Sequence, residues 1–281
     1  MKHPIPRPQS AILPLLFLLA FLHIPAPMQA QDPFFEVNLH ENTAIPADSP
    51  LPNLRAYLPQ TTDSLRRAVL ILPGGGYAGL AKNHEGYDWA PFFNQRNTAA
   101  FILCYRLPKG QNDVPLADVA QALRTIRRHA AEWHIDPANI GIMGSSAGGH
   151  LAATACTLLP QEERPAFQIL LYPVISMQKG ITHQGSRDNL LGRNPSEALV
   201  HRYCCEQHIT PATPPAFLVL SDDDDIVPTE NSIGYYQALH RAGIPASLHI
   251  YPTGGHGWGA STGFRYHRQM TEELSHWLEN L

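Results

Sequence analysis

The sequence predicts an α/β fold, a mostly parallel central sheet with helices on both faces. Three observations predict it. Short continuous apolar runs recur from residue 68 to residue 251, and helix-like segments separate them. The runs show little polar alternation, as expected of strands buried on both sides. A chain of 281 residues with 44% hydrophobic content can bury one substantial core of this kind.

Residues 31 to 67 hold short segments, such as Arg55-Ala56-Tyr57-Leu58, that read as leading strands between Pro and Asp turns. Ala68-Val69-Leu70-Ile71-Leu72 is a buried strand, Tyr87 to Asn97 a helix, and Ala99 to Tyr105 the next strand. Asp118 to Trp133 sets Val119, Leu123, Ile126 and Ala130 on one face and arginines opposite, which predicts an amphipathic helix. Asp136-Pro137-Ala138 closes it. The strand Asn139 to Met143 follows, then a glycine-bracketed serine and a run of small helix formers. Phe167 to Tyr172, Pro215 to Leu220 and Ala246 to Tyr251 are three further strands. Thr229 to Arg241 is a helix between the last two, and Phe264 to Leu281 closes the chain. Val174 to Pro214 breaks the rhythm: it is polar, rich in His, Gly, Asn and Pro, and long for a connection. It reads as a cap-like insertion above the sheet or as a plain surface excursion. No internal repeat and no second domain are visible.

The first thirty residues have the pattern of an export signal. Lys2, His3 and Arg7 precede the apolar stretch Ala11 to Leu22, and Ala30 suits cleavage before Gln31. The stretch is shorter than the ~20 residues needed to span a bilayer, and Pro14 interrupts it. The expected organisation is a signal peptide at 1–30 and one domain at 31–281, secreted or periplasmic, with no stable membrane insertion after cleavage. A net charge of −4 without a basic run points away from nucleic acid as a partner. The four cysteines, Cys104, Cys156, Cys204 and Cys205, match no zinc or thioredoxin spacing. Cys104 and Cys156 read as small buried hydrophobes, whereas Cys204 or Cys205 can pair in an oxidising compartment.

The chemistry gathers at strand ends. Gly144-Ser145-Ser146-Ala147-Gly148, between a strand and a helix, is a Gly-x-Ser-x-Gly elbow with Ser146 as candidate nucleophile. A serine hydroxyl needs a base, and Gly254-Gly255-His256-Gly257 after the last strand offers His256. His84, His134, His150, His183, His208 and His249 lack that placement and read as structural. Asp222-Asp223-Asp224-Asp225 follows Leu220, and the spacing to Val227-Pro228 favours Asp224 as the acid that orients the imidazole, with Asp223 next. The acidic run lacks the alternating ligand pattern of a calcium loop, so no metal is expected there. Leu72-Pro73-Gly74-Gly75-Gly76-Tyr77 lets backbone approach a substrate. Gly75 and Gly76, with the amide of Ala147, are the candidate oxyanion-hole donors. A phosphate-binding loop would need a glycine spacing that is missing here.

These stretches resemble the α/β-hydrolase superfamily, and within it the secreted bacterial carbohydrate esterases that include acetylxylan esterases and feruloyl esterase-like proteins. The resemblance also runs through His84-Glu85-Gly86, Tyr105-Arg106-Leu107-Pro108, Trp133-His134-Ile135-Asp136-Pro137, Tyr172-Pro173-Val174-Ile175-Ser176-Met177, Asn189-Leu190-Leu191-Gly192 and Pro228-Thr229-Glu230-Asn231-Ser232. It implies the α/β-hydrolase fold, a triad of Ser146, Asp224 and His256, and no metal or organic cofactor. It also implies an acylated polysaccharide or oligosaccharide as substrate. The first expectation is a serine esterase that deacylates plant cell-wall polysaccharide, foremost acetyl esters of xylan. A general carboxylesterase or lipase, a prolyl-oligopeptidase-like peptidase and an inactive binding module are the alternatives. The peptidase usually carries a propeller that this chain has no repeats to build.

Overall fold

Alternate residues of the central strands feed two separate cores, one on each face of the sheet. Ala68, Leu70 and Leu72 enter one and Val69 and Ile71 the other; Phe101 and Leu103 are likewise divided from Ala100 and Ile102. That alternation follows from the two-residue period of an extended chain, and burial on both faces explains why the strands read as unbroken apolar runs. The computed structural model describes residues 1, 3, 34–39, 52–60 and 64–281. Apart from Met1 and His3, the predicted export signal lies outside the described residues. Pro33–Leu281 form one compact unit.

The strands are β1 (Phe35–Asn38), β2 (Asn53–Tyr57), β3 (Arg66–Leu72), β4 (Thr98–Cys104), β5 (Ile135–Ser145), β6 (Gln168–Leu171), β7 (Ala216–Ser221) and β8 (Ala246–Tyr251). They make one sheet in the order β1-β2-β4-β3-β5-β6-β7-β8. β1, β2 and β4 pair antiparallel, and all pairs from β4 to β8 are parallel. The helices are α1 (Ala90–Asn94), α2 (Val114–Arg128), α3 (Ala147–Leu158), α4 (Gln184–Leu191), α5 (Glu197–Arg202), α6 (Glu230–Arg241) and α7 (His267–Glu279). Buried residues of α2, α3 and α6 enter the first core, and those of α1 and α7 the second. Among the described residues no helix is long and apolar enough to cross a membrane.

The chain order reverses at β3. From β3 the chain steps outward to β4, then crosses back to place β5 on the other side of β3. Loops leaving the carboxyl ends of β3 and β5 therefore diverge and leave a crevice, the usual place for a ligand in an open parallel sheet. The glycine loop follows β3 and the elbow serine follows β5.

Several boundaries differ from the sequence reading. The helix expected to begin at Asp118 begins at Val114, with Pro115 in its first turn. Asp118 lies inside the helix, and its fully buried carboxylate takes the Arg106 amide at 2.8 Å and the Arg106 guanidinium at 2.6 Å. Asp136-Pro137-Ala138 lies within β5 rather than in a turn, where the register against β3 shifts between Arg66 and Ala68. The helix expected over Tyr87 to Asn97 is split into a 3₁₀ turn, Tyr87–Trp89, and the short α1, whose first turn holds Pro91. The closing helix starts at His267, because Phe264 is stacked on Trp258 with ring centroids 4.1 Å apart. Residues 174–214 hold α4, α5 and a 3₁₀ turn at Cys205–Gln207.

Replacing Asp118 by Ala removes a buried carboxylate and leaves the guanidinium of Arg106 without its partner. Arg106 still reaches solvent, so the cost sits below that of a fully buried pair, at about 2–3 kcal/mol. Urea unfolding of the variant measures it, and a loss below about 0.5 kcal/mol would show that the pair does not anchor α2.

Candidate active site

Ser146 sits between β5 and α3 with φ 53° and ψ −120°, a conformation that side-chain-bearing residues rarely adopt. The surroundings hold it there. Its amide donates to Leu171 O at 3.0 Å, and its carbonyl accepts from His150 N at 3.1 Å and Val174 N at 3.0 Å. The flanking glycines are required by close approach. A Cβ on Gly144 would lie 2.1 Å from Gly148 O, and one on Gly148 would lie 2.1 Å from Leu72 O. Helix α3 therefore packs directly against the ends of β5 and β3, and the serine is the residue thrust out at the crossing.

Three of the sequence-predicted side chains meet in one line of hydrogen bonds. Ser146 Oγ is 2.8 Å from His256 Nε2, and His256 Nδ1 is 2.7 Å from Asp224 Oδ2. A carboxylate facing Nδ1 keeps the proton on that nitrogen, so Nε2 is left to accept from the serine hydroxyl. The Asp224 side chain is only 1% exposed. Its other oxygen takes the amides of Ile226 and Val227, both at 2.9 Å, which satisfies the buried carboxylate. Asp223, the alternative, is exposed and bonds the Gly255 amide at 2.8 Å, so it braces the loop that carries His256. Asp222 and Asp225 face solvent.

The glycine loop lies against the serine, since a Cβ on Gly74 would come within 2.9 Å of Ser146 Cβ. Its carbonyls are tied back. Gly74 O accepts from Ala81 N, Gly75 O from Ala78 N and Gly79 N, and Gly76 O from Asn189 Nδ2. The Gly74 amide is occupied by Glu85 Oε2 at 2.8 Å. The amides of Gly75, Gly76 and Ala147, the three predicted donors, have no hydrogen-bond partner among the described residues. Gly75 has φ 127° and Gly76 φ 63°, positions that glycine occupies without strain.

Several residues of the site had no role assigned from sequence. Glu85 is 3% exposed; its second oxygen accepts the Tyr172 hydroxyl at 2.8 Å, and that hydroxyl accepts the Gly259 amide at 2.7 Å. Burial, with the nearby Glu85 carboxyl, holds the Tyr172 phenol well above its ordinary range and keeps it a donor. Its ring lies edge-on to His256 at 4.7 Å. His183 and Asn189, at the start and within α4, reach the glycine loop from the 174–214 segment. The stretches His84-Glu85-Gly86, Tyr172-Pro173 and Asn189-Leu190 were already part of the family resemblance, which was the available signal.

His150, on α3, is fully buried and works as a strut. Its Nε2 faces Tyr203 O at 2.9 Å and must donate there, so Nδ1 accepts from Tyr77 Oη at 2.8 Å. The four cysteines are free thiols. Cys204 accepts the Met177 amide, and Cys205 contacts Thr154 and His150 O. Among the described residues no group of three or more His, Cys, Asp or Glu is placed to hold a metal ion.

The BD-FAE family model matches residues 54–239, which contain Ser146, Asp224 and the glycine loop. The chain belongs to the BD-FAE family. Acetylxylan esterase from Xylanibacter ruminicola is 39% identical to this BD-FAE chain over 271 residues, covering 95% of the chain and 55% of that protein. Endo-1,4-beta-xylanase B from Butyrivibrio fibrisolvens is 34% identical over 222 residues, covering 74% of the chain and 34% of that protein. The chain thus spans about half the length of the first relative and about a third of the second. Among solved structures, an acetyl ester-xyloside bifunctional hydrolase from Caldicellulosiruptor lactoaceticus superposes with a TM-score of 0.83 at 33% identity, covering 88% of this chain and 96% of that one. The BD-FAE chain has the α/β-hydrolase fold; of these two relatives one carries the name of a carboxylic ester hydrolase and the other that of a xylanase.

Burial lowers the pKa of His150 to about 4 from an ordinary 6.5. As pH falls, the unfolded chain takes up this proton near 6.5 while the folded chain resists until about 4. The neutral imidazole therefore favours folding above 6.5, and that contribution is lost as pH descends toward 4. Between about pH 7.5 and about pH 4.5 the wild-type protein is expected to lose about 2 kcal/mol through this residue alone. Denaturant titrations of His150→Gln at both pH values should show a shallower fall in stability than wild type. Equal slopes would mean that the histidine is not held neutral.

Proposed function

We propose that the chain is a serine esterase that deacylates plant cell-wall polysaccharide, foremost acetyl esters of xylan. The observation that carries this reading is the hydrogen-bonded line Ser146–His256–Asp224 at the switch point of the sheet, with unengaged amides beside the serine. Ser146 Oγ attacks the ester carbonyl as its proton passes to His256 Nε2. The carbonyl oxygen gains negative charge facing the amides of Ala147 and of Gly75 or Gly76. Asp224 keeps the imidazole in the productive tautomer and offsets the positive charge it acquires. The imidazolium then protonates the departing sugar oxygen, leaving Ser146 acylated. Water, deprotonated by the same histidine, attacks the acyl-enzyme and releases the acid.

Support for the substrate comes from the relatives: one is named an acetylxylan esterase, and the solved structure described above an acetyl ester-xyloside bifunctional hydrolase. Export is our further proposal, resting on the leader pattern Met1 to Ala30. Acetate release from acetylated xylan, set beside p-nitrophenyl acetate, a feruloyl ester and a proline-containing peptide, separates the xylan reading from a general carboxylesterase, a feruloyl esterase and a peptidase. Cleavage of the small aryl ester without any release from xylan would overturn the substrate assignment.

Ser146→Ala is expected to abolish hydrolysis of every ester in that set without lowering the melting temperature. Asp224→Asn presents an amide to His256 Nδ1 and should cost about 10³-fold or more in kcat. Asp223→Asn loses only a loop brace and should stay within about tenfold. Comparable losses in the two Asp variants, or a working Ser146→Ala enzyme, would refute the assigned roles.

A further inference from the structure

The 174–214 segment brings helix α4 onto the glycine loop at two points. Asn189 Nδ2 donates to Gly76 O at 2.8 Å. At the other end of the helix, His183 Cε1 lies 3.7 Å from where a Cβ on Gly76 would be. His183 is half-buried and caps α4: its Nδ1 accepts from the Ser186 amide at 3.3 Å and lies 2.8 Å from Ser186 Oγ. A ring nitrogen that accepts an amide proton carries none of its own, so the neutral ring bears its hydrogen on Nε2. Burial and the neighbouring His256 both lower the pKa of His183, so the ring stays in this neutral form around neutral pH. Nε2 is bonded to the carbon that faces Gly76 and has no hydrogen-bond partner among the described residues. The helix cap thus fixes one tautomer and leaves a donor of known identity beside the loop against which the ester is proposed to bind.

We propose that His183 is a specificity-determining residue whose Nε2–H donates a hydrogen bond to a hydroxyl oxygen on the alcohol half of the ester, selecting esters of sugars over esters of plain alcohols. The proposal rests on the esterase reading and deepens it. The carbonyl oxygen of the substrate is directed to the backbone amides, and an acetyl methyl accepts no hydrogen bond. A ring hydroxyl near the ester is the acceptor that a carbohydrate adds and a hydrocarbon alcohol lacks. A half-buried donor that loses its acceptor is penalised, which makes such a contact discriminating.

The test compares His183→Asn with wild type on two acetates of similar shape, a monoacetate of methyl xyloside and cyclohexyl acetate. Asn is a good helix-capping residue and can accept the Ser186 amide, so α4 keeps its start while the Nε2 donor is withdrawn. The expected result is a fall of roughly ten- to a hundredfold in kcat/KM on the xyloside ester. On cyclohexyl acetate the change should stay within about twofold, which also reports that the variant is folded and its serine competent. Equal losses on both esters would overturn the proposal, because they would mean that His183 only shapes the glycine loop or contacts the carbonyl. No loss on either would overturn it as well. Failure of the esterase reading looks different: wild-type enzyme would release acetate from neither ester, and the proposal would fall with it.

Discussion

The buried carboxyl of Glu85 is the contact on which the geometry around Ser146 depends. One oxygen holds the amide of Gly74 after β3, and the other takes the hydroxyl of Tyr172 after β6. The same hydroxyl receives the amide of Gly259, in the loop that follows His256. Three loops leaving three strands are thereby referred to one side chain. A carboxyl group withdrawn from water is costly unless its oxygens find donors, so these loops are held together by the demand of that group for partners. Glu85 occupies the Gly74 amide, whereas the amides of Gly75 and Gly76 have no partner among the described residues.

The second constraint is steric. Carbonyl oxygens of Gly148 and Leu72 stand where Cβ atoms on Gly144 and Gly148 would fall, so glycine is required at both positions. This close approach brings the start of α3 against the end of β3 and forces Ser146 into its positive-φ conformation. The hydrogen bonds at the Ser146 amide and carbonyl hold it in that conformation. The unengaged Ala147 amide at the first turn of α3 is a consequence of the same arrangement, because the first amides of a helix have no intrahelical acceptor.

The 174–214 segment is tied to the rest of the domain by polar contacts. Asn231, on α6, accepts the amides of Ile175 and Ser176 at its Oδ1 and donates to Pro228 O through Nδ2. Tyr203 O receives the proton of His150, and Tyr203 Oη donates to Asp113. Arg187 Nε donates to Met177 O within the segment. These bonds satisfy backbone groups that a loop lying over a sheet would otherwise bury unpaired, which is how a polar stretch of this length stays packed. They also set α4 beside the glycine loop, so the wall of the crevice comes from the part of the chain that the periodicity of the sequence described least.

The alternation of buried strands and helices was legible in the sequence because hydrophobic period and run length are local properties. The strand-end positions of Ser146, His256 and the acidic run followed from chain order on such a sheet. Boundaries slipped where a residue with one local meaning was used at a distance. Asp118 looks like a helix start but serves Arg106, and Asp136-Pro137 looks like a turn but lies in a strand at a shift of register. Spacing favoured Asp224 over Asp223 without showing where either side chain points, since neighbours in a turn point in different directions; folding sends Asp224 into the interior toward His256 and Asp223 to the Gly255 amide. Glu85, Tyr172 and His183 acquire their places only through contacts between segments far apart in the chain. The sequence by itself determined which residues could do the chemistry and that a parallel sheet would present them. Tertiary structure decided which carboxylate faces the imidazole, which amides stay unengaged and which histidine overlooks the crevice, because those depend on directions in space that no local pattern encodes.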